Sequence, residues 1–269
     1  MDQRPIGIFD SGLGGLTAAK VLEEILPGEN LIYFGDSANA PYGTRQRPEL
    51  KMLATANAAF LQGFDCKAVL VACGTVSSNA MDVLRERFPM PFFGVLDAAC
   101  RAAAERTRTK RVAVIATEAT VGSGAFERKL KQLDGSLDVF SKACPSLVAV
   151  TEQGHLERGD AAGIAAVAGE LAPVKAWGPD VLIMACTHFP LLQDIIADYM
   201  GADVTLLSVG AETAKELKAH LTANGMLAER TAGERRWFTS GDPAKFSECA
   251  GLFLGHGVTA EPKNGGSVR

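Results

Sequence analysis

The chain has 269 residues, 47% of them hydrophobic and 22% charged, with a formal net charge of -4 and a pI near 5.7. That balance belongs to a folded globular protein, excludes a disordered chain, and leaves no basic footprint for nucleic acid. No apolar run reaches the roughly 18 residues of a membrane span. Asp2-Gln3-Arg4 also leads straight into a short strand without a signal-peptide core, so the expectation is a cytoplasmic protein with neither a nucleic-acid nor a membrane partner.

The length exceeds the roughly 100 to 150 residues of a typical domain, so two domains are expected. Ile6-Gly7-Ile8-Phe9 reads as a strand, and Asp10-Ser11-Gly12-Leu13-Gly14-Gly15 as a glycine-rich turn. A helical pattern of Leu16, Ala19, Val21, Leu22 and Ile25 follows, stopped by Pro27-Gly28. Residues 31–34 form a second strand, residues 35–44 with Pro41-Tyr42-Gly43 a functional loop, and residues 49–63 an Ala-rich helix. Residues 68–72 are a third strand, 77–88 a helix and 92–95 a fourth strand.

The alternation starts over at Arg111. A strand over 112–116 ends in Thr117-Glu118-Ala119-Thr120-Val121, a threonine-rich turn before a helix through Phe126 and Leu130. A strand at 137–140, a helix at 160–177 and a strand at Val181 complete a second set, and 204–207 is a further strand. Helix, strand and helix at 212–221, 237–240 and 243–254 return to the first sheet. The fold class is α/β: two similar doubly wound parallel-sheet domains related by a pseudo-twofold, with the active site in the cleft between them. The division is 1–96 plus 210–269 against 97–209, with the first boundary near Leu96-Asp97. The tail from Glu261, with Asn264-Gly265-Gly266, is expected to fray.

The chemistry-bearing stretch is Val69-Leu70-Val71-Ala72-Cys73-Gly74-Thr75, echoed by Val181-Leu182-Ile183-Met184-Ala185-Cys186-Thr187-His188. Each is a buried strand delivering a cysteine to its carboxyl end, where ligands bind in open α/β sheets. The six cysteines have no C-x-x-C spacing, so a disulfide framework is not expected; Cys66, Cys100, Cys144 and Cys249 read as inert. Cys73 and Cys186 stand at strand ends before helices, where free N–H groups and the helix dipole favour thiolate. Two opposed thiols suit inversion at carbon, one taking a proton while the other delivers one to the opposite face.

Other readings are weaker. Gly12-x-Gly14 with Asp36 imitates a dinucleotide fingerprint, but Thr17 replaces the third glycine and Asp10 would repel a pyrophosphate. His188 is compatible with a zinc ligand, a thiol-activating base or a core histidine, and with only four histidines no tetrahedral set forms, so no metal is expected. No arginine follows either cysteine as a phosphate cradle would require.

The motifs Phe9-Asp10-Ser11-Gly12-Leu13-Gly14-Gly15, Tyr33-Phe34-Gly35-Asp36, Pro41-Tyr42-Gly43-Thr44, Ala72-Cys73-Gly74-Thr75 and Ala185-Cys186-Thr187-His188-Phe189-Pro190 occur together in one order. The chain thereby resembles the glutamate racemases, the cofactor-independent aspartate/glutamate racemase family whose glutamate members supply D-glutamate for peptidoglycan. The resemblance implies that Cys73 and Cys186 are the acid/base thiols, assisted by Asp10 and His188, with Glu152 as an auxiliary acid. It places Ser11 and the Tyr42-Gly43 backbone on the substrate's side-chain carboxylate. Gly74, Thr75 and Thr187 fall on its α-carboxylate and ammonium, beside Asp10 and His188. It further implies glutamate as substrate, no cofactor, and a homodimer.

Three positions depart from the family pattern: Gly74 replaces asparagine, Leu96-Asp97-Ala98 replaces Ile-Glu-Pro, and Ser208-Val209 stands where Asp-Ser is common. The first strand begins too early in the chain for the regulatory extension of precursor-activated relatives, so that regulation is not expected. A racemase of aspartate or another acidic amino acid, a Cys-dependent hydrolase or decarboxylase, and a two-domain binding protein are the alternatives.

Overall fold

A computed structural model of the chain describes residues 1–263. It opens with β1 (Ile6–Asp10), α1 (Leu16–Ile25), β2 (Leu31–Gly35), α2 (Arg47–Gln62), β3 (Ala68–Val71), α3 (Gly74–Asn79), α4 (Met81–Arg87) and β4 (Phe92–Gly94). Next come α5 (Val95–Arg106), β5 (Arg111–Ala116), α6 (Glu118–Ser123), α7 (Ala125–Leu133), β6 (Asp138–Ala143), α8 (Pro145–Glu152) and α9 (Ala161–Trp177). The chain continues through β7 (Val181–Met184), α10 (Gln193–Met200), β8 (Thr205–Ser208), α11 (Val209–Ala223), β9 (Arg235–Thr239), α12 (Pro243–Leu254) and β10 (Ala260–Pro262).

Two sheets result, in the orders β10-β9-β2-β1-β3-β4 and β6-β5-β7-β8. Every pairing among the described residues is parallel. The four strands β2-β1-β3-β4 and the four strands β6-β5-β7-β8 follow one pattern, so β1 corresponds to β5 and β3 to β7. In each sheet the order reverses at the inner pair, β1/β3 and β5/β7. That reversal opens a crevice beyond the carboxyl ends of the strands, because successive connections leave to opposite faces.

Alternation along the strands sorts side chains between cores. Ile8 and Leu70 of the first sheet and Val114 and Ile183 of the second meet Leu16, Leu22, Val95, Ala99 and Leu217 in a helical layer shared by both sheets. On the outer faces, Val69 and Val71 pack against Leu50, Ala54 and Leu61, while Leu182 and Met184 pack against Val167, Leu171 and Ile196. Burial on both faces is why these strands read as unbroken apolar runs. Each such side chain contributes roughly 1.5–3 kcal/mol.

The edge opposite the crevice carries charge. Lys67, just before β3, pairs with Glu29 at 2.5 Å and donates to the carbonyls of Asp2 and Met226 at 2.8 and 2.7 Å. Asp180, just before β7, accepts from Thr107 Oγ1 at 2.7 Å and from the N–H groups of Arg108 and Thr109 at 2.5 and 2.8 Å.

Three local expectations change. The helix expected over 77–88 begins at Gly74 and breaks at Ala80, whose φ of -135° lies outside the helical region. Glu261 and Pro262, expected to fray, pair with Phe238 and Thr239 as an edge strand; Asn264-Gly265-Gly266 lie outside the described residues. The strand expected at 137–140 runs over Asp138–Ala143 because its ladder with β5 continues to Ala116. Leu96-Asp97 lies in the first turn of α5.

Candidate active site

Asp10 is the last residue of β1 and has no exposed surface. The glycine turn folds back over it, so that the N–H groups of Gly12 and Gly15 donate to Oδ2 at 3.2 and 3.0 Å. Oδ1 is buried and has no hydrogen-bond partner among the described residues. A carboxylate oxygen in that state is costly unless something completes it, which suits an ammonium group or a proton held for transfer.

Cys73 continues the outward face of β3 and caps the start of α3. The Ser11 side chain and the Val76 N–H act on its sulfur in favour of the thiolate. Burial outweighs them. At 4% exposure, and with the Asp10 carboxylate adding repulsion, the thiol is pushed up to about 12. The expected helix-terminus thiolate is therefore corrected: one N–H and one hydroxyl do not replace lost water beside a second anion. The Cys186 charge also acts on Cys73, which puts the two sulfurs within electrostatic reach of one another.

Cys186 occupies the matching place beyond β7, but no α-helix starts there; a short 3-10 turn over Phe189–Leu192 intervenes. Its electrostatic partner is the imidazole of His188, whose Nδ1 lies 3.7 Å from the sulfur. Nε2 of the same ring lies 3.4 Å from Glu152 Oε1. Burial alone would push His188 down, yet the Cys186 and Glu152 contacts raise it to about 10. The ring packs edge-on against Phe253 of the first sheet's helix α12, at 5.8 Å between centroids. Glu152 is drawn below its usual range by the same imidazole, despite a smaller opposing effect of burial.

The two halves touch along a tight seam. A Cβ on Gly14 would lie 2.2 Å from Thr187 Oγ1 and 2.7 Å from His188 Nδ1, so only glycine lets the turn meet the second half there. Gly74 abuts the Ala185 carbonyl, where a Cβ would sit at 2.1 Å. Thr17 Oγ1 donates to the Thr187 carbonyl at 3.0 Å, and the Ala119 N–H to the Gly43 carbonyl at 2.8 Å. Thr75 Oγ1 meets Thr117 Oγ1 at 3.0 Å, which in turn meets Thr120 Oγ1 at 3.0 Å. Asp10, Ser11, Gly43, Cys73, Gly74, Thr75, Glu152, Cys186, Thr187 and His188 thus line or adjoin one seam. The Tyr42 side chain does not join them, because its hydroxyl turns inward to Asp36.

Thr117 and Thr120 were legible as a threonine-rich turn but not as part of this cluster. The available signal was position: Thr117 follows β5 as Asp10 ends β1, and those strands correspond. Among the described residues, no group of three or more His, Cys, Asp or Glu is arranged to hold a metal ion.

With two strand-end thiols, a buried carboxylate and an imidazole on one seam, comparison with known proteins becomes specific. The Asp/Glu/Hydantoin racemase family model matches residues 16–235. The chain belongs to this family. A glutamate racemase from Corynebacterium diphtheriae is 42% identical, the match covering 99% of this chain and 100% of that protein. One from Herpetosiphon aurantiacus is 39% identical over 92% of this chain and 97% of its own length. Among solved structures, a glutamate racemase isoform from Bacillus anthracis superposes with a TM-score of 0.93 at 36% identity, covering 97% of this chain and 98% of that one. The Francisella tularensis glutamate racemase in complex with D-glutamate gives 0.88 at 32% identity, with 97% of each chain covered. The chain is thus similar to these amino-acid racemases over nearly its whole length, including the family's two-sheet architecture.

Proposed function

We propose that this protein interconverts L- and D-glutamate without a cofactor, with Cys73 and Cys186 acting on opposite faces of the α-carbon. The observation that carries the reading is the pairing of unlike thiols at equivalent strand ends. Cys73 is kept protonated by burial, with the Asp10 carboxylate adding repulsion, whereas Cys186 lies 3.7 Å from Nδ1 of an imidazole that is itself raised to about 10. One sulfur, as thiolate, takes the α-proton and leaves a planar carbanion. The other, as thiol, gives its proton to the opposite face, so the two sulfurs end with exchanged protonation. Asp10 receives the substrate ammonium through its free oxygen, and His188, oriented by Glu152, supports charge at Cys186. Ser11 and the Tyr42-Gly43 backbone take the side-chain carboxylate; Gly74, Thr75 and Thr187 take the α-carboxylate and ammonium.

The product, D-glutamate, serves peptidoglycan synthesis, as the family reading entails. The same proposal assigns 1–96 plus 210–269 and 97–209 to the two domains and a cytoplasmic homodimer to the working form. Purified protein without added cofactor should bring L-glutamate and D-glutamate to the same racemic end point, followed by circular dichroism. Absence of any optical change with either enantiomer would sink the reading, and turnover of aspartate alone would move it to the aspartate branch of the family.

A further inference from the structure

Behind the seam, the loop that carries Gly43 is fastened by a polar trio set in an apolar layer. Asp36, Tyr42 and Asn57 are 1%, 1% and 0% exposed. Asn57 projects from α2 among the buried Leu50, Ala54, Ala58 and Leu61. Its amide donates to the Tyr42 hydroxyl at 3.1 Å, and that hydroxyl spends its single proton on Asp36 Oδ2. Asn39 donates to both Asp36 oxygens at 3.0 and 3.1 Å. Donation therefore runs one way, from Asn57 through Tyr42 to Asp36. Burial, with the hydrogen bond to Asp36 adding to it, pushes Tyr42 well above the usual phenol range, so the proton stays in place.

The outer side of the same loop is held as well. Arg45 donates to the carbonyls of Pro41 and Asn39 at 3.1 and 2.6 Å and pairs with Glu49. Between these fastenings Gly43 meets the second half, its carbonyl accepting from Ala119 at 2.8 Å, while a Cβ there would lie 3.0 Å from Thr117 Cβ. Packing alone does not account for the trio. Phenylalanine would fill the Tyr42 site, and Asn57 leaves its buried Oδ1 without a partner among the described residues. Buried polar groups of this kind burden the core but specify one geometry.

We propose that Asp36, Tyr42 and Asn57 are positioning residues that set the height of the Gly43 backbone in the cleft, and so the fit of the substrate's distal carboxylate and the preference for glutamate over the shorter aspartate. The proposal rests on the reading that this backbone receives that carboxylate. Its test is steady-state kinetics of Tyr42→Phe and Asn57→Leu with glutamate and aspartate, alongside thermal midpoints. Losing one link of the relay should raise KM for glutamate about tenfold, the scale of one hydrogen bond, with a much smaller fall in kcat. The glutamate-to-aspartate ratio of kcat/KM should shrink. Asn57→Leu also removes the unpartnered oxygen, so its midpoint should hold while KM rises, and it carries the test should Tyr42→Phe fold poorly. Unchanged KM and ratio in a folded variant, or a loss confined to kcat, would overturn the assignment. A wild-type protein inert toward glutamate would refute the functional reading itself, whereas an active wild type with unaltered variants would refute only the role of the trio.

Discussion

Gly74→Ala probes the seam most sharply. The added Cβ would sit 2.1 Å from the Ala185 carbonyl oxygen, and reaching an ordinary 3.4 Å contact requires the segments to separate by about 1.3 Å. Both partners are backbone, so neither can swing aside. At that separation the nearby Thr75–Thr117 and Ala119–Gly43 hydrogen bonds, now 3.0 and 2.8 Å, pass out of range. Two such bonds contribute about 0.5–1.5 kcal/mol each, so closure becomes about 1–3 kcal/mol less favourable. The equilibrium constant for closing the seam falls roughly 5- to 150-fold, and kcat/KM falls with it once the open form predominates. Coupled kinetics and small-angle X-ray scattering are the assays: kcat/KM should drop within that range and the radius of gyration should rise. Gly74→Asn carries the same Cβ and should behave alike, although asparagine is usual in the family. Wild-type kcat/KM with unchanged scattering would refute the claim that Gly74 is required by the Ala185 contact.

Two further outcomes follow from other parts of the molecule. Lys67→Met leaves Glu29, 2% exposed, without its cation, and urea unfolding should show a loss of about 3–5 kcal/mol, a large share of the roughly 5–15 kcal/mol of a typical domain. Adding Glu29→Gln, which keeps an acceptor for the Ala228 N–H, should recover much of it; a double variant as unstable as the single one would contradict the ion-pair account. His188, raised from 6.5 to about 10, contributes stability that is fully present below pH 6.5 and lost as pH rises through about 10. The stability gap between wild type and His188→Asn should therefore narrow from pH 6.5 to 10, and a gap independent of pH would show that His188 is not held as a cation.

Much of the architecture was readable from the chain because β3 and β7 are buried on both faces and leave unbroken apolar runs, each ending in Ala-Cys. The repeat of that ending was enough to pair Cys73 with Cys186. The state of Cys73 was not readable. It depends first on the burial of the thiol itself and then on a fully buried Asp10 brought in from β1, and no spacing in sequence reports how much water two side chains lose together. Gly74 read as a missing amide contact, whereas its surroundings make it a contact with Ala185, which lies more than a hundred residues away. Asp36 imitated a ribose-binding acid because its place after β2 matches that fingerprint; its partners Tyr42 and Asn57 come from a loop and a helix whose packing sequence alone does not reveal. The break at Ala80 and the edge pairing of Glu261 are likewise tertiary outcomes that override local propensity.

The central claim is that two different sulfurs handle the α-proton, and the isotopic content of each enantiomer early in the reaction measures it. With protiated L-glutamate in D2O, product D-glutamate should carry solvent deuterium at the α-carbon while the remaining L-glutamate keeps its protium, and the reverse should hold starting from D-glutamate. Product that retains the substrate's own proton, or deuterium washing into unreacted substrate as fast as into product, would contradict the two-thiol mechanism.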